Sequence, residues 1–119
     1  MTERDVWEGG CHCGSVRYRV KTGLERVMAC NCSHCSKKAF LLTFVGADDF
    51  ELLTDETALS EYQFNRKVIH HLFCSKCGVE SFGRGPGRDG SPMVMVNVRC
   101  LDGVDIGALE VTPFDGKSL

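Results

Sequence analysis

Apolar and polar residues alternate with a period of two along several stretches of this chain. Val16, Tyr18 and Val20 are interleaved with Arg17 and Arg19, the pattern of a strand with one face buried and the other in water. Leu59-Ser60-Glu61-Tyr62-Gln63-Phe64 alternates too, and Val68 to Phe73 follows closely, so Asn65-Arg66-Lys67 reads as a hairpin turn. Val94, Val96 and Val98 predict a further strand, and the dense apolar run Ala39 to Val45 suits a buried one. Helical periodicity is weak, and Ala47-Asp48-Asp49-Phe50 opens one turn at most. Gly83-Arg84-Gly85-Pro86-Gly87-Arg88-Asp89-Gly90 reads as a flexible loop, either a flap over a site or a plain surface loop. The tail from Pro113 to Leu119 is expected on the surface. The pattern predicts a mainly β fold with little helix, in one domain spanning residues 1–119.

Charge narrows the partners. A formal net charge of −2 offers no overall positive field toward nucleic acid or an anionic membrane. Met1-Thr2-Glu3-Arg4-Asp5 is charged and no apolar run follows it, so no signal peptide is expected. No stretch approaches the ~18 apolar residues of a membrane span. The expectation is a cytoplasmic protein in a reducing environment, where clustered cysteines act as metal ligands rather than disulfides.

Seven of the eight cysteines fall into three groups. Cys11-His12-Cys13-Gly14 and Cys74-Ser75-Lys76-Cys77-Gly78 are pairs, each closed by a glycine that can take the positive φ of a tight turn. Together they supply four thiolates, enough for one closed tetrahedral zinc site that crosslinks segments about sixty residues apart. Cys30-Asn31-Cys32-Ser33-His34-Cys35 supplies three thiolates and leaves a fourth position to water, substrate, His34 or the remaining Cys100. With water or substrate there, the site is open and able to do chemistry; with His34 or Cys100 there, it is closed and structural. The spacing leaves both readings standing.

Other residues are weaker candidates. His12 and His34 lie between ligands, where a side chain is commonly forced outward, although His34 is also placed to shuttle a proton. His70 and His71 are strand neighbours facing opposite sides, one packed and one exposed, and neither receives a role. Lys37 and Lys38 follow the triplet and can meet a carboxylate-bearing ligand or stand solvated.

The order of these motifs resembles the glutathione-dependent formaldehyde-activating enzyme family. The matching segments run from Gly10-Cys-His-Cys-Gly14 through the triplet to His71-Leu-Phe-Cys-Ser-Lys-Cys-Gly78, and include Asn97-Val-Arg-Cys-Leu-Asp-Gly103, Glu51-Leu-Leu and Phe114-Asp-Gly-Lys117. Phe73-Cys-Ser-Lys-Cys-Gly-Val-Glu-Ser-Phe82 is most similar to the branch that includes vertebrate centromere protein V, without that branch's basic extension. The resemblance implies an Mss4-like fold of several coiled antiparallel β-sheets clipped by zinc. It implies a structural zinc on Cys11, Cys13, Cys74 and Cys77, and an exchangeable zinc with an open position on Cys30, Cys32 and Cys35. The implied activity is a carbon–sulfur lyase-type condensation of a small aldehyde with a thiol such as glutathione, giving S-hydroxymethylglutathione in the type reaction. The competing expectations are a non-catalytic zinc-binding scaffold with two closed sites and a glutathione carrier.

Overall fold

The computed structural model describes residues 5–63, 69–87 and 89–115. Two sheets share one core. Strand β1 (Asp5–Gly10) pairs antiparallel with β2 (Arg17–Thr22), and β2 pairs in turn with β5 (Phe50–Leu52). The second sheet has the strand order β10 (Val111–Phe114), β3 (Val27–Cys30), β4 (Leu42–Gly46), β9 (Pro92–Asn97), β8 (Phe82–Pro86), β7 (His70–Cys74), β6 (Leu59–Tyr62). The mainly β expectation holds, and among the described residues every pairing is antiparallel except that of β10 with β3, which is parallel. No helix among the described residues is long and apolar enough to cross a membrane.

The alternation in β2 does what the sequence predicts. Tyr18 and Val20 are fully buried, while Arg17 and Arg19 point outward to pair with Asp102, Glu8 and Glu51. Tyr18 joins the two sheets, with its ring 5.0 Å from that of Phe50 on β5 and 5.7 Å from that of Phe82 on β8. Gly9 adds a second join, because its strand lies directly against the Cys100–Leu101 backbone.

Three stretches differ from expectation. Residues 83–86 are strand β8 rather than loop. The glycines there make room: a Cβ on Gly83 would stand 2.7 Å from Met95 Cε, and one on Gly85 2.7 Å from Ile69 Cδ1. Only the tip turns, with Gly87 N–H donating to Ser91 O at 2.7 Å and Gly90 at φ +84°. The run from Ala39 divides, since Ala39 is the left-handed cap (φ 54°) of a preceding helix and β4 begins at Leu42. That helix, α1 (Ser33–Lys38), is carried by the cysteine triplet itself and has no apolar period to announce it. Ala47–Asp49 forms the expected single turn, as a 3-10 helix. The stretch Pro113–Leu119 is strand as far as Phe114 and exposed there. Phe64, the 65–67 turn and Val68 lie outside the described residues.

Candidate metal centres and the cavity beside them

Cys11 and Cys13 sit in the turn after β1, and Cys74 and Cys77 in the turn that ends β7. Cys11 N–H donates to Val16 O at 3.0 Å and Gly78 N–H to Cys74 O at 2.9 Å, while Gly14 and Gly78 take φ of +86° and +79°. Each turn also aims backbone donors at sulfur: Val16 N–H at Cys11 (3.3 Å), and Lys76 and Cys77 N–H at Cys74 (both 3.4 Å). The Cys11–Cys13 sulfurs are 3.7 Å apart and the Cys13–Cys74 sulfurs 3.6 Å. A tetrahedral ion with ~2.3 Å bonds to sulfur has edges of about 3.8 Å, so this donor set fits zinc. The thiols are tuned unequally. Burial raises Cys11, whereas the backbone N–H groups of Val79 and then Cys13 draw Cys77 down to about 6. The Ser15 hydroxyl and N–H lower exposed Cys13.

The triplet is built on a strand end and a helix start. Cys30 ends β3, Cys32 is the N-cap of α1, and Cys35 lies within it. The Cys32 sulfur accepts Cys35 N–H at 3.3 Å, the part a serine or aspartate oxygen usually plays at a helix start. Cys30 accepts Cys32 N–H at 3.5 Å. The three sulfurs lie within 4.8 Å of one another, over a small apolar cluster of Phe40, Leu42 and Met95. Burial raises Cys35 and Cys30. At Cys32 burial also acts upward, but the Cys35 N–H and the neighbouring thiols outweigh it and the thiol is lowered. The loop is pinned from the far end of the chain, where Asn31 N–H donates to Phe114 O (3.1 Å) and Asn31 Nδ2 to Asp115 Oδ1 (2.9 Å).

Neither expected candidate for the fourth position lies with the triplet. Cys100, in a 3-10 turn (Val98–Cys100), directs its thiol toward Glu80 O at 3.9 Å, and its charge neighbours Cys11 and Cys77 belong to the other cluster. His34 is turned inward rather than outward, unlike exposed His12. Its Nε2 lies 3.5 Å from Glu80 Oε1, and His71 Nδ1 lies 3.1 Å from Glu80 Oε2. The two imidazoles are 4.1 Å apart between centroids, and His34 also stacks on Tyr62. His34 is lowered by burial first, with Glu80 working against that shift. The two strand neighbours divide as expected, one packed and one exposed, and the buried one is His71. Glu80 was not foreshadowed: a single acid after the Cys-x-x-Cys-Gly turn has no period or spacing that marks it as buried.

An open cavity of about 490 Å³ lies along this face. Ser33, His34, Lys37 and Lys38 of α1 line one side, and Tyr62, Phe73, Gly78 and Glu80 the other. A separate, water-sized gap lies between Cys35, His71 and Glu80.

Fold and site together define a small, mainly β protein with two thiol clusters that can each hold a metal ion. A family model described as glutathione-dependent formaldehyde-activating enzyme matches residues 6–113, and the chain belongs to that family. It is also similar to a protein of Rhodobacter sphaeroides solved by crystallography, with 28% identity and a TM-score of 0.76, over 88% of this chain and 99% of that one.

Proposed function

We propose that this chain is a zinc-dependent enzyme of the carbon–sulfur lyase type, joining a small aldehyde such as formaldehyde to a thiol such as glutathione. The observation that carries the proposal is the three-sulfur cluster of Cys30, Cys32 and Cys35, with the Cys100 thiol directed at the Glu80 carbonyl and His34 at the Glu80 carboxylate. In the reaction the thiol sulfur bonds to the aldehyde carbon and the carbonyl π bond breaks. The oxygen takes up the proton that the thiol gives up, and nothing is oxidised or reduced.

A zinc ion on the triplet supplies Lewis acidity and favours the ionised form of a thiol near neutral pH. Cys30, Cys32 and Cys35 would hold that ion with three thiolates, which would blunt its charge and suit an exchangeable ion that handles thiols. Lys37 and Lys38 place two ammonium groups on the cavity wall, where they suit a thiol that carries carboxylates. Tyr62 and Phe73 supply the facing apolar surface.

The test is Cys32→Ser. Serine keeps a hydroxyl to cap α1 but removes a thiolate, so the variant stays folded, loses one of the two thiol-bound zinc ions per chain and forms no S-hydroxymethylglutathione above the uncatalysed rate. Full turnover in a variant that has lost that zinc overturns the proposal.

A further inference from the structure

We propose that His34, His71 and Glu80 form an additional metal site, distinct from both cysteine clusters, for a divalent cation of the zinc class. The three side chains come from separate parts of the chain: α1, β7 and the segment that leaves the Cys74–Gly78 turn. All three are removed from water, with side-chain exposures of 10% for His34, 6% for His71 and 5% for Glu80. Their ligand atoms lie within 4.8 Å of one another. A zinc ion with bonds of ~2.0–2.1 Å to nitrogen and oxygen has tetrahedral edges of about 3.3–3.4 Å. Each histidine nitrogen stands close to that length from its own oxygen of the carboxylate, His34 Nε2 at 3.5 Å from Oε1 and His71 Nδ1 at 3.1 Å from Oε2, so the carboxylate group lies between the two rings.

The chemistry of the donors agrees. Two imidazoles and one carboxylate form a borderline set that suits zinc and its first-row neighbours better than calcium or magnesium. Three protein ligands leave a position for an exchangeable group, and His34 and Glu80 both face the open cavity of about 490 Å³. Lys38 acts on His34 through space and opposes a cation. The Glu80 carboxylate, buried among these groups, supplies the opposing negative charge. A carboxylate clamped by two imidazole hydrogen bonds would have similar distances, so the experiment has to separate ligation from clamping.

The inference does not depend on the reaction proposed above. The full-length protein with zinc on its thiol clusters, freed of more weakly held metal by a mild chelator, is titrated with cobalt(II) and followed by calorimetry and by absorbance. The expected result is one further equivalent whose visible bands are weak and which brings no sulfur-to-cobalt charge transfer in the near ultraviolet. Glu80→Gln and His71→Ala should each weaken that equivalent at least about tenfold, while the thiol-bound zinc content, which reports the fold, stays as in the parent. Cobalt entering a vacant triplet instead would announce itself by charge transfer, so failure of the triplet reading is recognised separately. Absence of a sulfur-free equivalent in the parent protein overturns the proposal, as does undiminished affinity in both variants; either result leaves only the hydrogen-bonded clamp.

Discussion

The sulfurs of Cys13 and Cys74, 61 positions apart in sequence, lie 3.6 Å from each other. This approach ties the β1–β2 turn to the end of β7, and four thiols brought this close without a cation would repel one another once ionised.

Removal of this centre should therefore unfold the protein. Cys74→Ser, or a strong chelator added to the parent, is expected to abolish the cooperative thermal transition, since structural zinc contributes on the order of 10 kcal/mol in small domains. Circular dichroism melts with and without chelator check this; a variant that melts like the parent would contradict it.

Gly9 gives a purely steric prediction. A Cβ there would stand 2.5 Å from the Cys100 carbonyl oxygen and 3.0 Å from Tyr18 Oη, and the first of these is backbone that cannot swing aside. Gly9→Ala should cost about 1–3 kcal/mol in urea unfolding. An alanine variant as stable as the parent would mean that the two sheets do not meet as described.

Arg17 and Asp102 provide a pH dependence. The Arg17 guanidinium lowers the Asp102 carboxyl below its ordinary range. A carboxyl depressed in the folded state stabilises above its unfolded pKa of ~3.9, and that contribution is lost as pH falls through the folded value. The pair is largely in water, so the effect is small, within the ~0–1 kcal/mol of exposed ion pairs. Asp102→Asn should lower the urea midpoint slightly at pH 6, and the difference from the parent should shrink as pH falls below about 4. A difference that grows on acidification would reverse the assignment.

Lys37 and Lys38 make substrate charge testable. If they meet carboxylates, the Lys37→Ala/Lys38→Ala pair should raise KM for glutathione about tenfold, from roughly 1.5 kcal/mol of charge-assisted bonding. KM for a small uncharged thiol should not move. Equal effects on both thiols would show the lysines to be bystanders.

Much of this architecture was legible from residue order. The alternation around Tyr18 and Val20 places their strand and its buried face, and the two glycine-closed cysteine pairs meet as their spacing predicts. The misreadings share a cause: local composition does not report a distant neighbour. Gly83 and Gly85 read as loop because the side chains that need their space, Met95 and Ile69, are remote or outside the motif. Helix α1 was hidden because its start is capped by a cysteine sulfur rather than by a hydroxyl or carboxylate. Glu80 escaped because its two histidine partners are nine and 46 positions away in the chain.

The parallel strand β10 sets the order in which the protein can be finished. The β1–β2–β5 sheet is complete once residue 52 has been made, and the four-cysteine clip once residue 77 has. The triplet loop, though it lies in the first third of the sequence, takes a backbone partner from Phe114 and a side-chain partner from Asp115. On the ribosome the three thiols nearest the proposed chemistry are thus the last to be fastened, long after they emerge. A nascent chain halted before residue 111 would present them on an unfinished sheet edge, so the site is completed only once β10 has been made.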